Sequence, residues 1–344
     1  MNFERYYSKL PKIIKYNSFV YKFSLKLSKR LRKMNQKNNQ LNSHNELLNL
    51  LFTSSDIKIT GTLRDVQLLY VELLRFIDNV CAKHDIDYWI DYGTLLGAYR
   101  HGGFIPWDDD LDISIMRKDY EKLIRVLPEE IKKYPALMEN CGLSLLIEGQ
   151  KNYFKEFKSV YDVEDSEKIL NDDKYSFLQF ALMKPYIKID IFPKDYINEN
   201  ELDKYLKNYE IEKYRFNENT IFKCTDFFNT LNEEKRKLGQ VNNETKICAN
   251  SLDHIILEHP VIFKVENIFP LKTIKFEDYY FKCPNNIPEH LKAKFGSNYM
   301  QIPRIIENHD LLKFIETQFS SVDELNKSFE DSLNYLKKIN AGFK

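Results

Sequence analysis

Glycine and proline are scarce in this chain, ten and eleven of 344 residues, which excludes collagen-like and linker-dominated architectures. Cysteine is scarcer still and odd in number. Cys81, Cys141, Cys224, Cys248 and Cys283 form no C-x-x-C pair, so neither a disulfide scaffold nor a closed zinc site is expected, and a reducing cytosol fits the usage. No run reaches the roughly 18 uninterrupted apolar residues of a transmembrane helix. Lysines interrupt the N-terminal apolar positions, so no secretory signal is read there. Net charge is missing too, with 51 basic side chains against 51 acidic ones. As a whole-chain average, that argues against a nucleic-acid binder, which is usually basic.

What the chain has in quantity is core material, 43% hydrophobic residues including 24 Phe and 22 Tyr, so it is not a disordered chain. Its charge is also unevenly distributed. Residues 1–40 hold eleven Lys and Arg and one acid, Glu4, so they carry +10 and residues 41–344 carry −10. Within the basic segment Phe19, Phe23, Leu27 and Leu31 recur every fourth residue, with Lys22, Lys26, Lys29, Arg30 and Lys33 between them. This is the pattern of a basic amphipathic helix on an anionic bilayer surface. A helix packed on the body with its basic face in solvent would read the same way. The expected location is cytoplasmic, with peripheral contact at the inner face of the cytoplasmic membrane through residues 1–40.

Residues 34–60 are rich in Asn, Gln and Ser and read as a polar linker. Thr62 and Asp65 have capping-box spacing, and Leu63, Val66, Leu69, Leu73, Phe76, Ile77 and Val80 predict a helix over 62–84. Short apolar runs at 87–90, 111–115 and 186–192 predict strands. Ser321 and Glu324 open a C-terminal helix whose stripe is Val322, Leu325, Phe329, Leu333 and Leu336. The expected organisation is a basic segment and linker over 1–60, a catalytic domain over 61–310, and a helical extension over 311–344.

The chemistry concentrates in Asp91–Ile115, DYGTLLGAYRHGGFIPWDDDLDISI. Four aspartates, Asp108, Asp109, Asp110 and Asp112, lie within five residues. On a strand, Asp110 and Asp112 share one face while Leu111 and Ile113 point into a core. Carboxylates crowded on one face repel unless a cation lies between them, and a hard divalent ion with oxygen ligands, Mg²⁺ or Mn²⁺, resolves the conflict. Asp190, flanked by apolar residues in Lys188–Phe192, is a third carboxylate of this kind and completes the site if its strand lies beside the first. Gly93-Thr94 ends one strand and opens a helix, where backbone N–H groups suit a phosphate. Arg100 and His101 follow, as candidate contacts to the same phosphates.

Blander readings are weaker. Ile105, Trp107, Leu111, Ile113 and Ile115 flank the acidic run and argue against a merely solvated face. An EF-hand calcium loop would need Gly at 113 and Glu at 119, where the chain has Ile113 and Asp119. Trp107 reads as a packing residue.

Gly93–Ile113, GTLLGAYRHGGFIPWDDDLDI, resembles the signature of the LicD family, which also includes the fukutin-related proteins. Lys188–Asp195 (KIDIFPKD), Phe276–Pro284 (FEDYYFKCP) and Phe295–Pro303 (FGSNYMQIP) resemble further blocks of the family, with Phe295 where Tyr is more usual. The resemblance implies an α+β, polymerase-β-like nucleotidyltransferase fold: a small mixed β-sheet with packed helices, here with helical N- and C-terminal extensions. It implies transfer of a phospho-alcohol, phosphocholine first among them, from a CDP-linked donor to a hydroxyl of a cell-surface glycan (lipopolysaccharide, teichoic acid or capsule), with release of CMP. On that reading Asp110, Asp112 and Asp190 are catalytic residues and metal ligands. Gly93, Thr94, Arg100, His101, Lys188, Asp108 and Asp109 bind substrate, Asp108 and Asp109 by supporting the metal ligands or by contacting the acceptor. The alternatives are a D-x-D glycosyltransferase using a nucleotide sugar and a non-catalytic part of a glycan-assembly complex. Nucleotidyl transfer to nucleic acid is disfavoured by the −10 body, which would repel a phosphate backbone.

Overall fold

A computed structural model describes residue 26 and residues 29–43, 59–146, 177–207, 245–250, 261–303 and 311–343. The chain divides into two units, residues 1–56 with 301–306, and residues 57–300 with 307–344. In the first, residues 29–43 form a helix that exposes Leu31, Met34 and Leu41 along with its basic residues. It runs ten residues into the stretch read as linker, because Met34, Gln36, Lys37, Gln40 and Leu41 are good helix formers and no Gly or Pro interrupts them. Phe19, Phe23 and Leu27 of the amphipathic pattern lie outside the described residues. Among the described residues no helix is long and apolar enough to cross a membrane.

The second unit is a mixed α/β structure. Its elements are α1 (Thr62–Lys83), β1 (Tyr88–Ile90), α2 (Tyr92–His101), β2 (Leu111–Met116), α3 (Arg117–Lys132), α4 (Pro135–Asn140), β3 (Cys141–Leu146), β4 (Phe177–Met183) and β5 (Tyr186–Ile197). Then come β6 (Ile247–Asn250), β7 (Ile262–Lys264), α5 (Val265–Ile268), β8 (Lys272–Phe276), β9 (Tyr279–Cys283), α6 (Ile287–Phe295), α7 (Leu311–Thr317) and α8 (Val322–Ala341). The sheet runs β1-β2-β5-β4-β3, with β6 on the far part of β5 and β7 on β6, while β8 and β9 form a separate hairpin. Among the described residues only β2 and β5 pair in parallel; the other ladders are antiparallel. The twelve-residue β5 pairs β4 along 186–191 and β6 along 194–197, so the sheet curls where one partner replaces the other.

Alternation along the strands divides the sheet into two faces. Leu111, Ile113, Ile115, Leu178, Phe180, Ile189 and Ile191 are buried against the helices. The other face carries Asp112, Gln179 and Asp190. Helix α1 is capped by Gly61, in the left-handed region at φ 77°, whose carbonyl accepts from the N–H groups of Arg64 and Asp65. The expected Thr62 capping box is absent, because Thr62 already lies inside the helix. At α8 the cap holds: the Ser321 side chain accepts from Glu324 N–H at 3.2 Å. The carboxylate of Glu324 reaches one residue further back, to Ser320 N–H. Leu325, Phe329 and Leu336 of the stripe are buried, but Val322 is 70% exposed, since the first turn overhangs the core.

Helix α8 belongs to this core, lying on α1, where Asn340 Nδ2 donates to the Glu72 carbonyl and carboxylate. Leu336→Ala is therefore expected to destabilise the unit by about 2–5 kcal/mol, and Val322→Ala by no more than about 0.5 kcal/mol. Urea unfolding of the two variants checks this.

Candidate active site

The parallel register of β2 and β5 sets Asp112 beside Asp190, and the antiparallel register of β5 and β4 sets Gln179 on the other side of Asp190. Three polar side chains thus form a row across a sheet whose neighbouring residues are apolar. Asp112 and Asp190 are each 8% exposed, so the row is close to solvent while sheltered from it. Asp190 accepts from Gln179 Nε2 at Oδ1 (2.6 Å) and from Lys188 Nζ at Oδ2 (2.5 Å). Lys188 is two residues earlier on the same strand and therefore on the same face.

Asp112 is held by its backbone. Its N–H donates to Thr94 Oγ1 at 2.9 Å, and its carbonyl accepts from Asp91 N–H at 3.1 Å. Helix α2 begins at Tyr92, one residue before Gly93, so Gly93 and Thr94 lie within its first turn rather than in a loop before it. Thr94 is buried, and its hydroxyl couples α2 to β2. Gly93 has another role: a Cβ there would come within 2.9 Å of Asp108 Oδ2, so the glycine makes room for that carboxylate at the helix N-terminus.

The loop between α2 and β2 is gripped from α1. Gln67 Nε2 donates to the Asp108 carbonyl at 3.1 Å, and Tyr70 O–H donates to the Asp109 carbonyl at 3.2 Å. Asp109 is buried by this arrangement, whereas the side chain of Asp108 turns back toward Asp110 and hydrogen bonds with it. Burial and the neighbouring charges of Asp110 and Asp109 push the Asp108 carboxyl up to about 9, opposed by Arg100. Burial, together with Asp110, Asp190 and Asp108, likewise raises Asp112 well above the usual carboxylate range, with Lys188 opposing. Arg100 donates from Nη1 to the Tyr299 carbonyl at 3.0 Å and from Nε to His101 Nε2 at 2.9 Å. His101 ends α2, where Gly102 at φ 73° terminates it.

Thus Asp108, Asp110, Asp112 and Asp190 share one electrostatic neighbourhood with Lys188 and Arg100 at its edge. Among the described residues, no three His, Cys, Asp or Glu side chains are placed to hold a metal ion together. Two carboxylates suffice for Mg²⁺, which commonly keeps several waters and substrate phosphates as its other ligands. The hard oxygen donors of Asp110 and Asp112 fit such an ion, and their mutual repulsion gives it something to neutralise. Gln67, Tyr70 and Gln179 are not singled out by sequence reasoning. Gln179 left a signal, a lone amide in the apolar run Phe177–Met183, whereas Gln67 and Tyr70 look like ordinary helix residues.

Comparison with known proteins bears on the same region. Residues 85–227 match the LicD/FKTN/FKRP nucleotidyltransferase domain. The chain is 31% identical over 163 residues to an uncharacterized protein of Rickettsia prowazekii, a stretch covering 47% of this chain and 52% of that protein. It is 40% identical over 73 residues to lipopolysaccharide cholinephosphotransferase LicD of Haemophilus influenzae, 21% of this chain and 28% of that protein. A 48-residue stretch, 14% of this chain and 10% of the other, is 44% identical to ribitol 5-phosphate transferase FKRP of Homo sapiens. The match thus spans about half the length of the Rickettsia protein and less of the other two. Asp112 and Asp190 both lie within residues 85–227, the stretch that matches the LicD/FKTN/FKRP nucleotidyltransferase domain.

Proposed function

We propose that this chain transfers a phospho-alcohol from a CDP-linked donor to a glycan hydroxyl and releases CMP, with phosphocholine as the first candidate group. The observation that carries the reading is the in-register pairing of Asp112 with Asp190, beside Asp110, inside the LicD-family domain. Names of similar proteins add to it: one is a cholinephosphotransferase acting on lipopolysaccharide and another a ribitol 5-phosphate transferase. A bacterial surface glycan of the lipopolysaccharide, teichoic acid or capsule type is the acceptor class in this reading.

Asp110 and Asp112 would hold Mg²⁺ or Mn²⁺, which when bound supplies Lewis-acid neutralisation of the diphosphate and of the leaving CMP. The chain's own residues do the rest. Lys188 and Arg100 bring positive charge to the transferring phosphoryl group. Asp190, fixed in orientation by Gln179, accepts the proton of the attacking glycan hydroxyl. The new bond joins that oxygen to the phosphorus bearing the alcohol, and the bond from this phosphorus to the bridging oxygen breaks. Asp108 packs against Gly93 at the first turn of α2. A nucleotide-sugar glycosyltransferase would explain the D-x-D pair but leave the Asp190–Gln179–Lys188 arrangement without a task.

With CDP-choline and lipopolysaccharide as substrates, the full chain is expected to release CMP. Asp112→Asn and Asp190→Asn should each lower the rate by about 10²–10³-fold with circular dichroism unchanged. Release of UDP from a UDP-sugar, with no CMP from CDP-choline, contradicts the reading.

We also propose that residues 1–40 dock the enzyme on the anionic inner face of the cytoplasmic membrane. The +10 charge of that segment and the exposed basic residues of its described helix support this. Deleting residues 1–40 should abolish sedimentation with phosphatidylglycerol vesicles at low salt and leave turnover on a soluble acceptor within about twofold, since each basic residue near such a surface adds about 1 kcal/mol. Equal sedimentation of the truncated chain would refute docking.

A further inference from the structure

Helix α2 is held at both ends by residues 277–299, which lie beyond the 85–227 stretch matching the family. At its N-terminus, Asp91 caps the helix, its Oδ1 accepting from Tyr92 N–H at 2.9 Å. Asp91 is buried and also meets three other elements. Ser114 O–H of β2 donates to Oδ2 at 2.6 Å, Lys194 Nζ of β5 lies 3.4 Å from Oδ2, and His290 Nε2 of α6 lies 2.7 Å from Oδ1. The His290 ring is fully buried and stacks on Phe263, with centroids 4.4 Å apart and planes 17° from parallel, which fixes its orientation. Asp91 N–H and Thr94 Oγ1 are the two groups that bond the peptide of Asp112. The position of Asp91 therefore reaches the Asp112 backbone directly through one hydrogen bond, and through the first turn of α2 by way of the Thr94 hydroxyl.

The other end shows the same design. Glu277, at the tip of the β8–β9 hairpin, donates its N–H to the Gly102 carbonyl at 2.8 Å and accepts from Phe104 N–H at 3.2 Å. Arg64 grips the Glu277 carboxylate with two nitrogens at 3.0 and 2.6 Å. A Cβ on Gly103 would lie 2.4 Å from Glu277 Oε1, so the approach requires glycine there. Tyr92 and Glu277, one at each end, sit at φ 50° and φ 54°. Such conformations are disfavoured for residues with side chains and persist where surrounding contacts over-determine them.

We propose that His290 is a positioning residue: through Asp91 it holds the first turn of α2, and with it Asp112, in the geometry that phosphoryl transfer requires. The kinetic half of this inference rests on the proposed transferase activity, and the structural half does not. Hydrogen exchange by mass spectrometry and steady-state kinetics should be run on the full chain as wild type, His290→Leu and His290→Gln, with Lys292→Ala as a control on the exposed side of α6. His290→Asn, which keeps a polar group but falls short of Asp91, takes the place of His290→Leu if that variant does not fold.

His290→Leu or His290→Asn is expected to speed exchange in 91–101 and 111–116 by about tenfold while leaving the 322–341 helix unchanged. It should lower kcat by about tenfold or more with the KM for CDP-choline within about twofold. Gln at 290, whose amide N–H reaches the Nε2 position, should recover most of both losses, and Lys292→Ala should change neither. Unchanged exchange in 91–116, or exchange accelerated equally across all helices, overturns the inference. If wild type releases no CMP, the transferase reading fails while the exchange data alone still decide whether His290 positions Asp112.

Discussion

Parallel pairing of β2 with β5 places Asp112 and Asp190 side by side, and a one-residue slip in that register would turn one of the two into the apolar core. Everything else about the site is arranged to hold that register. Ile113 and Ile115 on β2 and Ile189 and Ile191 on β5 bury the opposite face under the helices, so a slip would expose apolar surface along the whole ladder. Helix α2 bonds the N–H and carbonyl of Asp112 directly. On the far side, β4 contributes Gln179 to the row.

The same arrangement concentrates like charge. Burial raises the proton affinity of Asp108 and Asp112, and the neighbouring charge of Asp110 adds to the effect at both. A fold that needed only stability would not collect four carboxylates in one sheltered place. The structure tolerates them because Lys188 and Gln179 bond Asp190 and because Arg100 faces Asp108. A divalent cation and the phosphates of a nucleotide donor are a natural complement, as they would replace protons at the carboxylates and engage the nearby cations.

Much of this was legible in the sequence. Alternation in Leu111–Ile115 and Tyr186–Phe192 gave two strands, and their pairing puts Asp112 and Asp190 together as expected, whereas Asp110, read as sharing the strand face with Asp112, lies just before that strand. Local signals were less dependable where a neighbour competed. The Thr62 pattern looked like a cap, yet the left-handed Gly61 starts that helix. Gly93-Thr94 looked like a turn before the helix, yet both lie in its first turn, where Thr94 is bonded to Asp112 and Gly93 lies under Asp108. The contacts of His290 and Glu277 were invisible because they join residues about 200 and 170 positions apart, and no local spacing records such a pairing. Alternation likewise could not reveal that β6 replaces β4 beside β5.

We propose that this row of aspartates performs cation-dependent phosphoryl transfer from a CDP-alcohol. The most direct test is ³¹P NMR of the full chain incubated with CDP-choline, lipopolysaccharide and Mg²⁺. The two diphosphate resonances are expected to give way in equal measure to CMP and a new phosphodiester on the glycan, and EDTA is expected to stop the conversion. An unchanged diphosphate spectrum across lipopolysaccharide, teichoic acid and capsule acceptors, or conversion that proceeds at full rate in EDTA, would contradict it.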